Sequence, residues 1–145
     1  MLYVARALMH SGEEWCTQLQ RREYMAVTSW ASFTMRPGRE AGALKLIRAV
    51  KRQAEREQPG TLVYLVHRVI EQDGKPGRTL CFYERYRNQA ALEAHLASSS
   101  WQAVVAQWKD HFEGSSAKTG VKFAPLTRIA AFERAGAIPV VAATR

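Results

Sequence analysis

Residues 61–87 read TLVYLVHRVIEQDGKPGRTLCFYERYR, and this stretch decides the fold. Its two arms, 61–71 and 78–87, are rich in β-branched and aromatic side chains, which suit a pleated, half-buried surface. Between them Asp73-Gly74-Lys75-Pro76-Gly77 is a run of turn residues. The whole predicts a β-hairpin that places Tyr64 opposite Glu84, Val66 opposite Phe82 and His67 opposite Cys81. One face then shows Leu62, Tyr64, Val66, Phe82, Glu84 and Tyr86, and the other Val63, Leu65, Val69, Cys81 and Tyr83. Both faces are largely apolar, so a slip of one residue would cost little. A water-facing side of an antiparallel sheet should be polar. Helices can cover only one side, and an apolar second side would exceed the few hundred Å² that a soluble monomer usually exposes. A second copy of the sheet is the simplest cover, closed two-fold dimers being the commonest oligomers.

Working outward, residues 39–57 predict a helix, with Leu44, Ile47, Val50 and Ala54 at helical spacing and Pro59-Gly60 at its end. Before it, residues 25–35 predict a strand. Met25, Val27, Ala31, Phe33 and Met35 alternate there with Thr28, Trp30, Ser32 and Thr34. After the hairpin, residues 88–97 predict a second helix with Asn88 as N-cap and Leu92, His95 and Leu96 on one side. Ser98, Ser99 and Ser100 interrupt and recap, and residues 101–113 predict a third helix striped by Trp101, Val104, Val105, Trp108 and Phe112. A polar loop, 114–120, leads to a last strand over 121–134, where Pro125 suggests an edge or a bulge. The order β-α-β-β-α-α-β is the split βαβ, ferredoxin-like arrangement of the α+β class. It gives one four-stranded antiparallel sheet with helices on one face. Residues 1–24 are an extension in which a short helix is conceivable, 25–134 are the domain, and 135–145 are a tail.

A chain of 145 residues, 47% hydrophobic and 23% charged, fits one globular domain. Cys16 and Cys81 stand far apart and outside any metal-ligand spacing, so free thiols in a reducing cytoplasm are expected. No apolar run reaches the roughly 20 residues of a membrane span, and Arg6 interrupts the N-terminal apolar stretch, so neither membrane nor signal peptide is expected. The net charge of +8 raises nucleic acid as a partner. Many of the positive charges, however, fall on the first helix: Arg39, Lys45, Arg48, Lys51, Arg52 and Arg56. A solvated face explains them, and nucleic-acid binding is not expected. No metal-ligand cluster, phosphate-binding glycine loop or Gly-x-Ser-x-Gly elbow appears.

The run Tyr83-Glu84-Arg85-Tyr86-Arg87-Asn88-Gln89-Ala90-Ala91-Leu92-Glu93-Ala94-His95-Leu96 resembles the signature of the antibiotic biosynthesis monooxygenase domain family. There an acidic residue on the third strand precedes an aromatic, and Ala-Leu-x-x-His-Leu opens the second helix. Arg36-Pro37-Gly38 and Pro59-Gly60-Thr61-Leu62-Val63-Tyr64 also fit, and the resemblance spans about residues 25–134. It implies a dimeric α+β barrel in which two sheets meet. It also implies cofactor-free monooxygenases that oxidise quinols and anthrones, in which the substrate anion reacts directly with oxygen. The family's heme-degrading members carry an Asn, a Trp and a heme-ligating His where this chain has Ala31, His95 and Val105, so heme degradation is not expected.

Candidate residues follow. His95, on the inward side of the second helix, is the candidate base or orienting group; a structural histidine bonded to a carbonyl is the alternative. Tyr64 and Glu84, opposed on the hairpin, either position a phenolic substrate or form a buried structural pair. Trp30, Trp101 and Trp108 could stack on a planar ring, with Phe82, Leu92 and Val105 completing the pocket wall; core packing is the alternative for the helical tryptophans. His67 goes to the other sheet face, and His10 and His111 have no assigned role. No cofactor is expected. The expected function is oxidation of a phenolic, quinol or anthrone-like substrate by molecular oxygen. The alternative is a non-catalytic small-molecule-binding or stress-response dimeric module of the same fold. The sequence does not choose which sheet face lines the pocket.

Overall fold

The hairpin forms in the expected register. In the computed structural model, which describes residues 25–130, β2 (Thr61–Ile70) and β3 (Pro76–Tyr86) pair antiparallel with Tyr64 opposite Glu84, Val66 opposite Phe82 and His67 opposite Cys81. Gly74 makes the turn at φ +80°, a left-handed conformation suited to glycine. Its N–H donates to Glu71 O at 2.9 Å, and Asp73 Oδ1 accepts the Lys75 N–H at 3.0 Å. The Lys75 N–H, then the Lys75 side chain, holds the Asp73 carboxyl below its ordinary value.

Two features of β2 depart from strict alternation. The register shifts between Thr61 and Val63 and again between Arg68 and Ile70. Each irregularity turns a side chain off its expected face. Leu62, expected beside Tyr64, is 46% exposed, and Val69, expected beside Leu65, is 39% exposed.

β1 (Val27–Thr34) pairs with β3 on one side and with β4 (Lys122–Leu126) on the other, giving the order β2-β3-β1-β4. The two crossovers put α1 (Glu40–Glu57) and the α2 (Gln89–Leu96) and α3 (Ser99–Ala106) pair on one face, as right-handed connections require. This is the α+β ferredoxin-like fold. α1 buries Ala43, Ile47, Val50 and Ala54 and leaves its basic residues outward. Asn88 caps α2 by accepting the Ala91 N–H at 2.9 Å, and Ser98 caps α3 by accepting the Trp101 N–H at 3.4 Å.

The third helix is not continuous. It ends at Ala106, and after Gln107 the short α4 (Trp108–His111) sets off anew. Val105, in the last turn of α3, is 38% exposed, while Val104, Trp108 and Phe112 stay in the core. The predicted loop 114–120 contains one more turn of helix, α5 (Ala117–Gly120). β4 is shorter than predicted and stops at Leu126; residues 131–134 of that expected strand, with 1–24 and 135–145, lie outside the described residues.

Phe33 organises the core. It stacks on Phe82 at 4.7 Å, meets Phe112 edge-on at 5.1 Å and tilts against Trp108 at 5.2 Å. Met35, beyond the end of β1, bridges to Phe112 and is fully buried.

Candidate functional site

Beside that core, between the helix-facing side of the sheet and α2–α3, lies a small cavity. β1 contributes Ala31 and Phe33, β3 Phe82 and Glu84, α2 Leu92, His95 and Leu96, and α3 Trp101. Val121 and Phe123 close the β4 side. Apart from Glu84 and His95 the wall is apolar. Leu96 and Phe123 are 44% and 52% exposed and form the rim. The volume is about 50 Å³, against roughly 150 Å³ for an apolar cavity that accepts benzene.

The sequence expectations sort as follows. His95, Glu84, Phe82, Leu92 and Trp101 line the cavity. Tyr64 is adjacent, its ring 5.4 Å from that of His95 and 6.1 Å from that of Phe82, without lining it. Three residues are elsewhere. Trp30 points to the opposite sheet face, because alternation puts its neighbours Ala31 and Ser29 on the helix side. Val105 is 38% exposed and does not line the cavity. Trp108 is sealed in the core, where its indole Nε1–H donates to Glu113 O at 2.9 Å.

Glu84 is buried on the helix side of β3 because its position shares the phase of Leu80, Phe82 and Tyr86. It makes no hydrogen bond to Tyr64, although the two are register partners. Its Oε2 instead accepts from Ser29 Oγ at 3.3 Å and Tyr86 Oη at 3.1 Å, both fully buried. Burial pushes the Glu84 carboxyl above its ordinary range, and the two hydroxyl bonds pull the other way. Tyr86 is raised by its own burial first and then by Glu84. Tyr64 is likewise raised well above the usual phenol by burial, then by Glu84. Its buried hydroxyl has no hydrogen-bond partner among the described residues.

His95 sits among aromatic rings, with Tyr64 and Tyr86 at 5.4 Å and Trp101 at 6.4 Å. Burial lowers its pKa to about 4, so at neutral pH the imidazole is uncharged. Its Nδ1 is 2.9 Å from Gln58 Oε1. Gln58 follows the end of α1, in the Pro59-Gly60 loop region, and nothing in its sequence context marks it. Phe123 and Val121 also escaped sequence reading, since their place in the wall follows from the pairing of β4 with β1. Ser29 is the fourth such residue; its phase with Ala31 and Phe33 was the available signal.

The site can enclose an apolar group and offer it two polar contacts, a carboxyl and an uncharged imidazole. Among the described residues no three His, Cys, Asp or Glu side chains are grouped to hold a metal ion, and no helix is long and apolar enough to cross a membrane.

Comparison with known proteins bears on these features. The family described as antibiotic biosynthesis monooxygenase is matched over residues 26–107, more than half of the chain. No curated protein matches. Among solved structures, a Pseudomonas aeruginosa protein superposes with a TM-score of 0.59 at 23% identity, over 72% of this chain and 95% of its own. A Mycobacterium tuberculosis protein gives 0.56 at 25% identity, over 73% and 100%. A structure described as an antibiotic biosynthesis monooxygenase gives 0.56 at 21% identity, over 73% and 100%.

Proposed function

The chain belongs to the antibiotic biosynthesis monooxygenase family, and from that premise we propose that it is a cofactor-independent monooxygenase acting on a phenolic, quinol or related aromatic substrate. The observation that carries this reading is the cavity: an apolar, aromatic-walled recess with two polar groups, Glu84 and His95, in its lining. The ring of the substrate would enter past Leu96 and Phe123, and its hydroxyl would meet His95.

In this reaction the phenol passes its hydroxyl proton to His95 Nε2 as a ring carbon bonds to oxygen. The peroxide formed takes up the proton, then breaks its O–O bond. One oxygen atom stays as a ring carbonyl, and the other leaves as water with the former hydroxyl proton and the ring hydrogen. The substrate supplies all the electrons, so it is oxidised to a quinone as oxygen is reduced. The protein's part is to hold the ring, exclude water and accept a hydrogen bond from the hydroxyl. With a pKa of about 4, His95 holds that proton only in transit: it takes it as the ring carbon bonds to oxygen and returns it to the peroxide. At about 50 Å³ the recess takes in only part of a ring, so a single-ring substrate would sit partly in the exposed Leu96–Phe123 rim and an anthrone would stand mostly outside it.

We also propose that the chain works as a cytoplasmic homodimer through the helix-free sheet face. Register aligns Leu65, Tyr83, Trp30 and Ala124 in one row across all four strands of that face. The row is apolar and only half-covered, which suits a second copy laid against it.

The decisive experiment is oxygen uptake by the purified protein with a panel of monocyclic hydroquinones and phenols and of anthrones. Turnover is expected with the monocyclic members, and His95→Ala should lower kcat/KM by about 10²-fold, the scale of a lost proton-handling group. The small closed volume specifically favours a second reading, a non-catalytic binding module of the same fold. Ligand binding without oxygen consumption across the panel would establish that reading and defeat the first.

A further inference from the structure

His95 has two ring nitrogens, and what the cavity offers a guest depends on which carries the proton. Nδ1 is turned to Gln58, which does not line the cavity, at 2.9 Å from its carbonyl Oε1. The same Oε1 faces a second donor, the Thr61 hydroxyl, at 3.3 Å. An amide oxygen only accepts, so the contact is a hydrogen bond when Nδ1 carries the hydrogen, which leaves Nε2 bare. Nε2 makes no hydrogen bond to any described residue, and His95 is part of the cavity wall.

Gln58 itself is held firmly. Its N–H donates to Ala54 O at 3.1 Å, and its carbonyl accepts the Thr61 N–H at 2.9 Å. Gly60, two residues on, has no side chain where a Cβ would stand 2.6 Å from that of Ala91. The loop can therefore lie directly on α2, one turn before His95. The titratable groups around the imidazole are Tyr64 from β2 and Glu84 and Tyr86 from β3; none of them bonds to it.

We propose that Gln58 is a positioning residue that fixes His95 as the Nδ1–H tautomer. Nε2 is then a hydrogen-bond acceptor, and the site selects guests with a hydroxyl to donate over guests with oxygen acceptors alone. This rests on the reading of the cavity as the ligand site. It has a functional consequence: a monophenol gains a bond to Nε2 that its quinone product lacks, so product is released in favour of substrate.

The test uses the full chain. Long-range ¹⁵N–¹H spectra of the histidines at pH 7 should show His95 protonated at Nδ1. In Gln58→Leu the proton should move to Nε2. 4-Methylphenol should bind the wild type about tenfold more tightly than 4-methylanisole, the worth of one neutral hydrogen bond, and Gln58→Leu should erase that preference. Gln58→Glu should keep Nδ1–H and raise the imidazole pKa from about 4, because a carboxylate beside it favours the charged ring. An Nε2–H signal in the wild type, or an unchanged tautomer in Gln58→Leu, overturns the proposal. Equal binding of the two ligands, or no binding of the phenol, overturns the selectivity. If Gln58→Leu does not fold, the Gln58→Glu titration decides, and an unmoved pKa counts against Gln58. Loss of the oxygen-uptake result with the tautomer result intact would defeat only the monooxygenase reading.

Discussion

The two faces of the sheet are built from the same strands and differ by a single step in each. On the helix side, Ala31, Phe33, Leu80 and Phe82 are buried, and one end of that face turns polar with Ser29, Glu84 and Tyr86. On the other side, the row Leu65, Tyr83, Trp30 and Ala124 is flanked by mixed rows, one holding Thr28 and Arg85 and the other His67, Ser32 and Lys122. Trp30 there is 36% exposed while its neighbour Ala31 is 7% exposed. Apolar content alone therefore does not separate the core face from the uncovered one. The difference lies in what is laid over each face: a layer of helices on one, and on the other nothing from the described residues of the same chain.

That contrast can be tested from its strongest point downward. Phe82→Ala removes a ring that stacks on Phe33 and walls the cavity, and should destabilise the domain by about 3–5 kcal/mol in urea unfolding. A loss below about 1 kcal/mol would mean that the helix side is not the core.

The second test reads the polar end of the helix side. Folded His95 titrates near 4 rather than 6.5, so between those values the unfolded chain binds a proton that the folded chain refuses. Stability should fall as pH drops through that window, by about 3 kcal/mol in all. The raised Glu84 carboxyl acts oppositely, its contribution being lost as pH rises above the ordinary carboxylate value. Comparing the pH slope of the wild type with that of His95→Gln separates them, since only the histidine component disappears. Equal slopes in both proteins would show that His95 is not held uncharged by burial.

The third and smallest effect on folding is expected across the sheet. Trp30→Glu should change the stability of the isolated subunit by less than about 1 kcal/mol, yet shift sedimentation from dimer to monomer by placing a charge in the apolar row. A wild-type protein that sediments as a monomer at micromolar concentration would remove the partner from this account.

Much of this was legible beforehand. Turn residues around Gly74 set the hairpin, and the strand and helix periods of residues 25–113 gave the element order. The asparagine and serine caps at Asn88 and Ser98 could be read directly. Glu84 and His95 could be marked as candidates because a carboxylate and a histidine in apolar phases are conspicuous. The site as a constellation was less accessible. Trp30 looked like a wall residue, yet it lies on the far side of its own strand from Phe82. Val105 fitted the helical stripe, yet in the folded α3 it is 38% exposed and lines no part of the cavity.

Local chemistry is what the chain encodes by itself: alternation of two, repetition near 3.6, caps, and turns. Those are properties of neighbours in sequence, and they hold wherever the segments end up. The folded arrangement alone settled which sheet face received the helices, that Ser29 and Tyr86 rather than Tyr64 bond Glu84, and that Gln58 reaches His95. The Ser29–Glu84 and Gln58–His95 pairings join residues 55 and 37 positions apart. Their geometry depends on crossover handedness, strand register and the close approach of Gly60 to Ala91, none of which leaves a periodic trace in the sequence.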